Sequence, residues 1–343
     1  MSLMKIQRRT LLAGMASVVA TCCGPSSGNV AADEVSSSNP ADSPDMPTPE
    51  DSAEQIPQPG LPTLGGRQFW GDVTFRSGFR IQRNVFTGHF RLLDSTDRRF
   101  ASGTEADCRS MLDTICRMRQ LPQDRGHAVI LIHGIGRSSK SLAAVAKALA
   151  DQPVFCVHFD YPSTRVSLAD CADYLRQVVQ SLKAADRISF VVHSMGGLVV
   201  RRMLQDQPDP RFHRLIMMGT PNYGAELAGM LKKFFLFRAI WGPAGQELAG
   251  GADSTVASLP VPTFPFGVIA GGRGDDEGFN QLLPGDDDGT VTVASTRLKG
   301  AADFLRIPRL HSFLMSDQTA LEATRCFLEH ARFALDRQPA PIS

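Results

Sequence analysis

The sequence predicts an α/β domain built on a mostly parallel central sheet, with helices on both faces. Two observations carry this. Short apolar, β-branched runs alternate with helix-period segments from Ala128 to Met218, the pattern of successive βαβ units. One such run, Ile188 to His193, ends abruptly at Ser194 and continues directly into a helix-like stretch. With 343 residues and 43% hydrophobic content, the chain can bury one sizeable core.

Taken in order, residues 1–23 read as an export signal. Lys5, Arg8 and Arg9 form a positive region before Thr10–Ala20, an 11-residue apolar stretch too short to span a bilayer comfortably. Arg8-Arg9-Thr10-Leu11-Leu12 resembles a twin-arginine signal; a general secretory signal is the alternative. Val19-Ala20-Thr21-Cys22 resembles a lipoprotein processing box, with ordinary signal cleavage as the alternative. The expectation is an exported protein, periplasmic, secreted or lipid-anchored, and a lipid on Cys22 would hold it at a membrane surface. Residues 24–66 are dense in Ser, Pro, Asp, Glu and Gly. They read as a disordered tether, because they have too little apolar surface to offset their ordering entropy.

The folded domain is expected over residues 67–338. Phe79–Val85 and His89–Leu93 alternate apolar with polar residues around a turn at Phe86-Thr87-Gly88, which predicts a hairpin forming the leading strands of the sheet. Thr104–Arg119 carries helical spacing. Cys108 and Cys116 share one face of it, too far apart along the helix to bond each other. Five cysteines remain beyond the signal, so at least one is a free thiol unless another chain pairs with it; Cys156, Cys171 and Cys326 read as buried packing residues. Strands are expected at 128–132, 154–158, 187–193 and 214–218, and helices at 141–149, 168–184 and 196–205, with a last helical pattern at 319–335. Residues 221–262 read as an insertion. Its segment Leu231–Trp241 is strongly apolar with three cations. It is either a lid or acyl-binding wall, with Phe234 and Phe237 touching substrate, or an ordinary amphipathic helix packed on the sheet.

Four motifs carry chemistry. Val192-His193-Ser194-Met195-Gly196-Gly197 places a serine at a strand–turn–helix junction, where a hydroxyl is lifted off the end of a sheet and the helix N-terminus favours negative charge. A serine that merely caps a helix is the structural alternative. His133-Gly134-Ile135-Gly136 follows the strand at 128–132. It lacks the Gly-Lys-Ser/Thr ending of a phosphate-binding loop and the Gly-x-Gly-x-x-Gly spacing of a dinucleotide site. Asp286-Asp287-Asp288-Gly289-Thr290-Val291 reads as a turn before a β-rich run. His311-Ser312-Phe313 precedes the last helix.

In this order the motifs resemble the α/β-hydrolase superfamily, most closely its bacterial lipase-like and esterase-like members, over about residues 125–335. The departure is Val192, where the family pattern has a glycine. The resemblance implies the α/β-hydrolase fold. It also implies Ser194 as nucleophile, Asp288 as the acid that orients His311, His311 as general base, and the backbone N–H groups of Ile135 and Met195 as the oxyanion hole. Asp286 and Asp287 remain alternatives as the acid; otherwise they read as solvated turn carboxylates or a weak calcium site. His193 reads as structural, His133 as orienting the oxyanion loop, and His158 as packed. The implied substrate is a small-molecule or lipid ester.

Thioesterase, amidase and acyltransferase chemistry remain open on the same triad, and a non-catalytic binding protein on this fold is the alternative class. The net charge is +1, basic residues are scattered and no nucleic-acid motif occurs, so nucleic acid is not an expected partner. The chemistry needs no cofactor, and neither a Cys-x-x-Cys pair nor a histidine cluster points to a metal.

Overall fold

A computed structural model describes residues 67–206, 208–224, 242–245, 247 and 256–343. The expected export signal and tether lie outside these residues, as do Phe234 and Phe237 of the expected lid. The described residues form one compact unit. Among the described residues no helix is long and apolar enough to cross a membrane.

The central sheet has six strands, every neighbouring pair parallel, in the order β10-β9-β8-β7-β5-β6. These are β5 (Gly126–Ile132), β6 (Val154–Phe159), β7 (Ala185–His193), β8 (Phe212–Met218), β9 (Phe266–Gly271) and β10 (Asp303–Ile307). Their interiors are apolar runs because a parallel sheet is covered on both faces. Val129, Leu131, Val191, Ile216 and Met218 pack in one core with Leu142, Val145, Ala323 and Phe327. Ile130, Ile132, Phe190 and Val192 pack in the other, with Leu175, Val178, Leu198 and Val199.

The helices α1 (Glu105–Met118), α2 (Ala143–Ala148), α3 (Leu168–Ser181) and α4 (Met195–Asp206) fall close to their sequence expectations; the single turn α5 (Val293–Thr296) lies where a β-rich run was expected, and α6 (Gln318–His330) stops short of the expected end at 335. The stretch expected as a helix over 141–149 opens as a 3-10 turn at Ser139–Leu142 before α2. Capping fixes two starts: Thr104 and Ser167 accept from the backbone of Asp107 and Asp170, whose carboxylates reach back to the cap amides. Each such box satisfies amides that would otherwise be orphaned and contributes about 0.5–2 kcal/mol.

The expected hairpin forms, but not as the leading strands of the central sheet. β1 (Trp70–Arg76), β2 (Phe79–Asn84), β3 (Phe90–Leu93) and β4 (Arg99–Gly103) make a separate antiparallel sheet. The reason is visible in the pairing. Phe79, Ile81 and Leu92 enter the α3/α4 core, while the opposite side chains Asp72, Arg80, Gln82 and Arg91 are buried too. Such a polar face needs polar partners rather than another helix. Gln82 Nε2 donates to Asp72 Oδ1 (2.7 Å), and Arg91 donates to Gln82 Oε1 and lies over the Trp70 ring. The seam is completed from the central sheet by Asp160, just past β6. Asp160 N–H donates to Asp72 Oδ2 (2.7 Å), Asp72 N–H donates to Asp160 O (2.9 Å), and Arg80 Nη1 donates to Asp160 Oδ2 (2.8 Å). The small sheet also docks on α3, where Phe75 N–H donates to Ser181 Oγ (3.0 Å).

The five cysteines among the described residues are free thiols. Cys108, Cys116 and Cys171 are buried, but Cys156 and Cys326 are only half-buried, because Cys156 lies on the edge strand β6 and Cys326 near the end of α6.

At the N-terminal end of the central sheet, His127 bonds Ser189 Oγ (2.8 Å) and its ring lies 5.4 Å from that of His213. Burial, then the neighbouring His213, Arg187 and Arg214, push its pKa down to about 4 from 6.5. The folded chain therefore refuses a proton that the unfolded chain accepts. Stability is expected to fall as the pH drops from about 6.5 towards 4. His127→Gln should flatten that dependence, read as the urea midpoint at pH 7 and pH 4.5; an unchanged slope would assign the loss elsewhere.

Candidate active site

Ser194 sits where β7 passes into α4. Its φ is +54°, a left-handed conformation that costs a non-glycine residue and persists only where the surroundings impose it. Ser194 N–H donates to Met218 O at the end of β8 (2.9 Å), and Gly197 N–H donates to Ser194 O (3.1 Å). Val192 is accommodated as an ordinary sheet residue, fully buried between Ile132 of β5 and Met217 of β8. The close approach required at the turn comes from elsewhere. A Cβ on Gly196 would lie 2.8 Å from Ile132 O, and one on Gly134 would lie 2.9 Å from Ser194 Cβ. The loop after β5 and the serine turn are therefore in direct contact. Met195 opens α4, so its amide is one of the helix donors without an intrahelical acceptor.

His311 and Asp288 are joined directly. His311 Nδ1–H donates to Asp288 Oδ2 (2.7 Å), and His311 N–H donates to Asp288 O (2.8 Å). Asp288 is buried, and its Oδ1 accepts from the amides of Thr290 (3.0 Å) and Val291 (2.8 Å). Both carboxylate oxygens are thus committed, which fixes the imidazole orientation. The His311 ring lies over Gly219 just past β8, where a Cβ would meet Nδ1 at 3.0 Å. Ser194 and His311 therefore both lie against the end of β8. Among the described residues no hydrogen bond joins Ser194 Oγ to His311.

His193 is structural, as expected. It is buried, its ring lies 4.6 Å from that of His311, and Nε2–H donates to His311 O (3.0 Å). Burial and the adjacent His311 hold its pKa well below the usual imidazole range. Its Nδ1 is buried without a partner, the acceptor face of a neutral ring.

Asp286 and Asp287 are not the solvated turn carboxylates expected. Asp287 is fully buried and accepts from Gly289 N–H (2.6 Å) and Asn280 N–H (3.3 Å); burial raises its pKa. Asp286 accepts from Gly274 N–H (3.0 Å) and faces Arg306 at 3.3 Å. The two staple the loop from opposite sides and leave Asp288 to meet His311. The expected β-rich run after Gly289 amounts to one bridge, Asp287–Thr292, followed by α5; Thr292 Oγ1 caps that turn by accepting from Ser295 N–H (3.1 Å). Among the described residues no group of three or more His, Cys, Asp or Glu side chains is placed to hold a metal ion.

The loop carrying Ile135 is anchored through His133, as expected, and through Gln68, Asp160, Tyr161 and Ser163, which the sequence did not single out. His133 stacks on Tyr161 at 4.3 Å, and Tyr161 Oη donates to His133 O (2.6 Å). Gly136 N–H donates to Ser163 Oγ (3.0 Å), and Gln68 Nε2 donates to Arg137 O (2.8 Å). Asp160 Oδ1 accepts from Ser139 N–H (2.7 Å) and lies 3.7 Å from His133 Nε2. Arg137 Nη2 donates to Ser312 Oγ (2.6 Å), joining this loop to the one that bears His311. The only sequence signal for Asp160 was its place at the carboxyl end of a parallel strand, where α/β sheets build their sites.

Residues 127–266 match a family model described as alpha/beta hydrolase fold. No curated protein matches in sequence. Among solved structures, a Listeria innocua protein is 18% identical, with 62% of this chain and 96% of that one covered at a TM-score of 0.44. The mature Bacillus licheniformis lipase BlEst2 is 18% identical over 60% of this chain and 91% of that one, at 0.46. A thermophilic esterase from Thermogutta terrifontis is 18% identical over 61% and 91%, at 0.41. With the family match spanning β5 to the start of β9, and a serine turn, an acid loop and a histidine loop gathered at the carboxyl ends of a six-stranded parallel sheet, the chain has the α/β-hydrolase fold.

Proposed function

We propose that the chain is a serine hydrolase of carboxylic esters, of the lipase and esterase type. The observation that carries this reading is the 2.7 Å Asp288–His311 hydrogen bond, on a histidine that shares the end of β8 with a serine held in the left-handed conformation where β7 passes into α4. Ser194 Oγ attacks the acyl carbon while His311 Nε2 accepts its proton. Asp288 holds the Nδ1–H tautomer and stabilises the imidazolium. The amides of Ile135 and Met195 donate to the tetrahedral oxyanion. Collapse expels the alcohol, which takes the proton from His311, and leaves an acyl group on Ser194. Water then attacks, giving its proton to His311; the second intermediate collapses, Ser194 Oγ leaves and takes that proton from His311, and the acid departs. A free enzyme without a formed serine–histidine hydrogen bond is compatible with this course, because such contacts tighten in the substrate complex.

A fluorophosphonate probe tests the assignment. The expected result is covalent labelling of wild type at Ser194 and none of Ser194→Ala. An unlabelled wild type, or equal labelling of both, would remove Ser194 as the nucleophile.

A further inference from the structure

Arg137 lies on the loop that carries Ile135, and its guanidinium reaches across to the loop that carries His311. Nη2 donates to Ser312 Oγ at 2.6 Å. Among the described residues this is the one of a guanidinium's five N–H donors with a partner, and no carboxylate lies within 4 Å of it. Other cations around this end of the molecule are matched by acids: Arg309 by Asp317, Arg80 by Asp160 and Asp97, and Lys140 by Asp97. Arg137 is also half-buried. Burial alone shifts its titration, downwards, with no acid offsetting it. It stands near enough to His193 and His133 for its charge to lower both pKa values, and these residues directly precede Ser194 and Gly134. A partly desolvated cation, without a counter-ion among the described residues, is thus held by both loops of the site, close to the histidine that precedes the nucleophile. A group in that position stabilises an anion brought to it, and the planar fork of arginine matches a carboxylate in particular.

We propose that Arg137 recognises a carboxylate carried by the ester substrate, so that the preferred substrates are anionic esters rather than neutral ones. This names a substrate class for the ester-hydrolase reading and rests on it. The reacting ester occupies Ser194 and the oxyanion amides, while the second, non-reacting carboxylate of the same molecule pairs with the free edge of the guanidinium.

The test compares matched esters. On the acyl side these are 4-nitrophenyl hemiglutarate and 4-nitrophenyl pentanoate; on the alcohol side, 4-carboxyphenyl acetate and phenyl acetate. Wild type is expected to favour the anionic member of at least one pair in kcat/KM by about 10-fold or more, the size of one charge-assisted contact. Arg137→Gln should collapse that ratio mainly through KM, and Arg137→Lys should keep part of it. Any loss shared by both members of a pair reports loop positioning instead, so the ratio separates recognition from structure. Ser312→Ala, which removes the tether and keeps the charge, should retain the preference. On wild type itself the ratio should shrink as ionic strength rises, a readout that does not depend on any variant folding. Turnover with no anionic preference in either pair, or a preference that Arg137→Gln leaves intact, overturns the proposal while the ester-hydrolase reading stands. Failure to hydrolyse any of the four esters defeats that reading, and this inference with it.

Discussion

Asp288→Asn is expected to lower kcat by about 10⁴-fold while leaving KM within a few-fold of wild type. The amide cannot accept Nδ1–H as a carboxylate does. It favours the wrong imidazole tautomer and withdraws the charge that stabilises the imidazolium. Because Asp288 Oδ1 also accepts two backbone amides, the asparagine can keep its carbonyl there and turn its NH₂ towards His311. The fold should survive, with melting lowered by only a few degrees. Ser194→Ala should cost at least as much turnover, and the double variant little more than either alone, since the groups act as one unit. Steady-state hydrolysis of a chromogenic ester, alongside circular dichroism to confirm folding, checks this. A loss below about 10-fold for either single variant would mean that another acid or nucleophile carries the reaction.

The second large effect is on stability. Arg80 is buried between three carboxylates, donating to Asp160 Oδ2 (2.8 Å) and Asp97 Oδ1 (2.5 Å), with Asp72 Oδ2 at 3.8 Å. Burial already pushes Asp72 up to about 7, against the pull of Arg80. Asp160 is held below its usual range by His133, Arg80 and the Ser139 donors, despite its burial. Arg80→Met fills a similar volume but strands two buried acids without their cation. Removing one partner of such a buried group costs about 3–5 kcal/mol, which for a domain of this size lowers Tm by on the order of 10 °C. Adding Asp72→Asn should recover part of the loss, because one of the stranded charges is then gone. A Tm for Arg80→Met within 2 °C of wild type would show that the seam contributes nothing net.

What was legible in the sequence was whatever a local pattern dictates. Apolar runs of five to seven residues gave β5 to β8, because strands buried on both faces leave no room for polar residues. The chain order of Ser194, Asp288 and His311 gave the charge pair that the fold brings together. What was not legible depends on which surfaces meet. The alternation in Phe79–Asn84 announced strands, but the arginine face of that hairpin looked like a face for water. Only Asp160, eighty residues from Arg80, turns it into an interior seam and a second sheet. β9 and β10 escaped notice because Phe266–Gly271 follows a proline-rich stretch and carries two glycines, and Asp303–Ile307 carries Asp303 and Arg306. Asp287 looked like its neighbours in a run of three aspartates. The backbone donors that bury it come from Gly289 and Asn280, and no pattern in the run itself reveals them. Phe234 and Phe237 keep their standing as sequence expectations, outside the described residues.

The polar seam also bears on ancestry and on engineering by recombination. Asp72, Arg80 and Arg91 precede α1, whereas Asp160 follows β6. A crossover anywhere between residues 119 and 126 would join one parent's Asp72 and Arg80 to another parent's Asp160. Chimeras broken there should survive only when both parents preserve the same charges at these places. The small antiparallel sheet and the nucleophile-bearing half of the domain are thus expected to travel through descent as a single inheritable block.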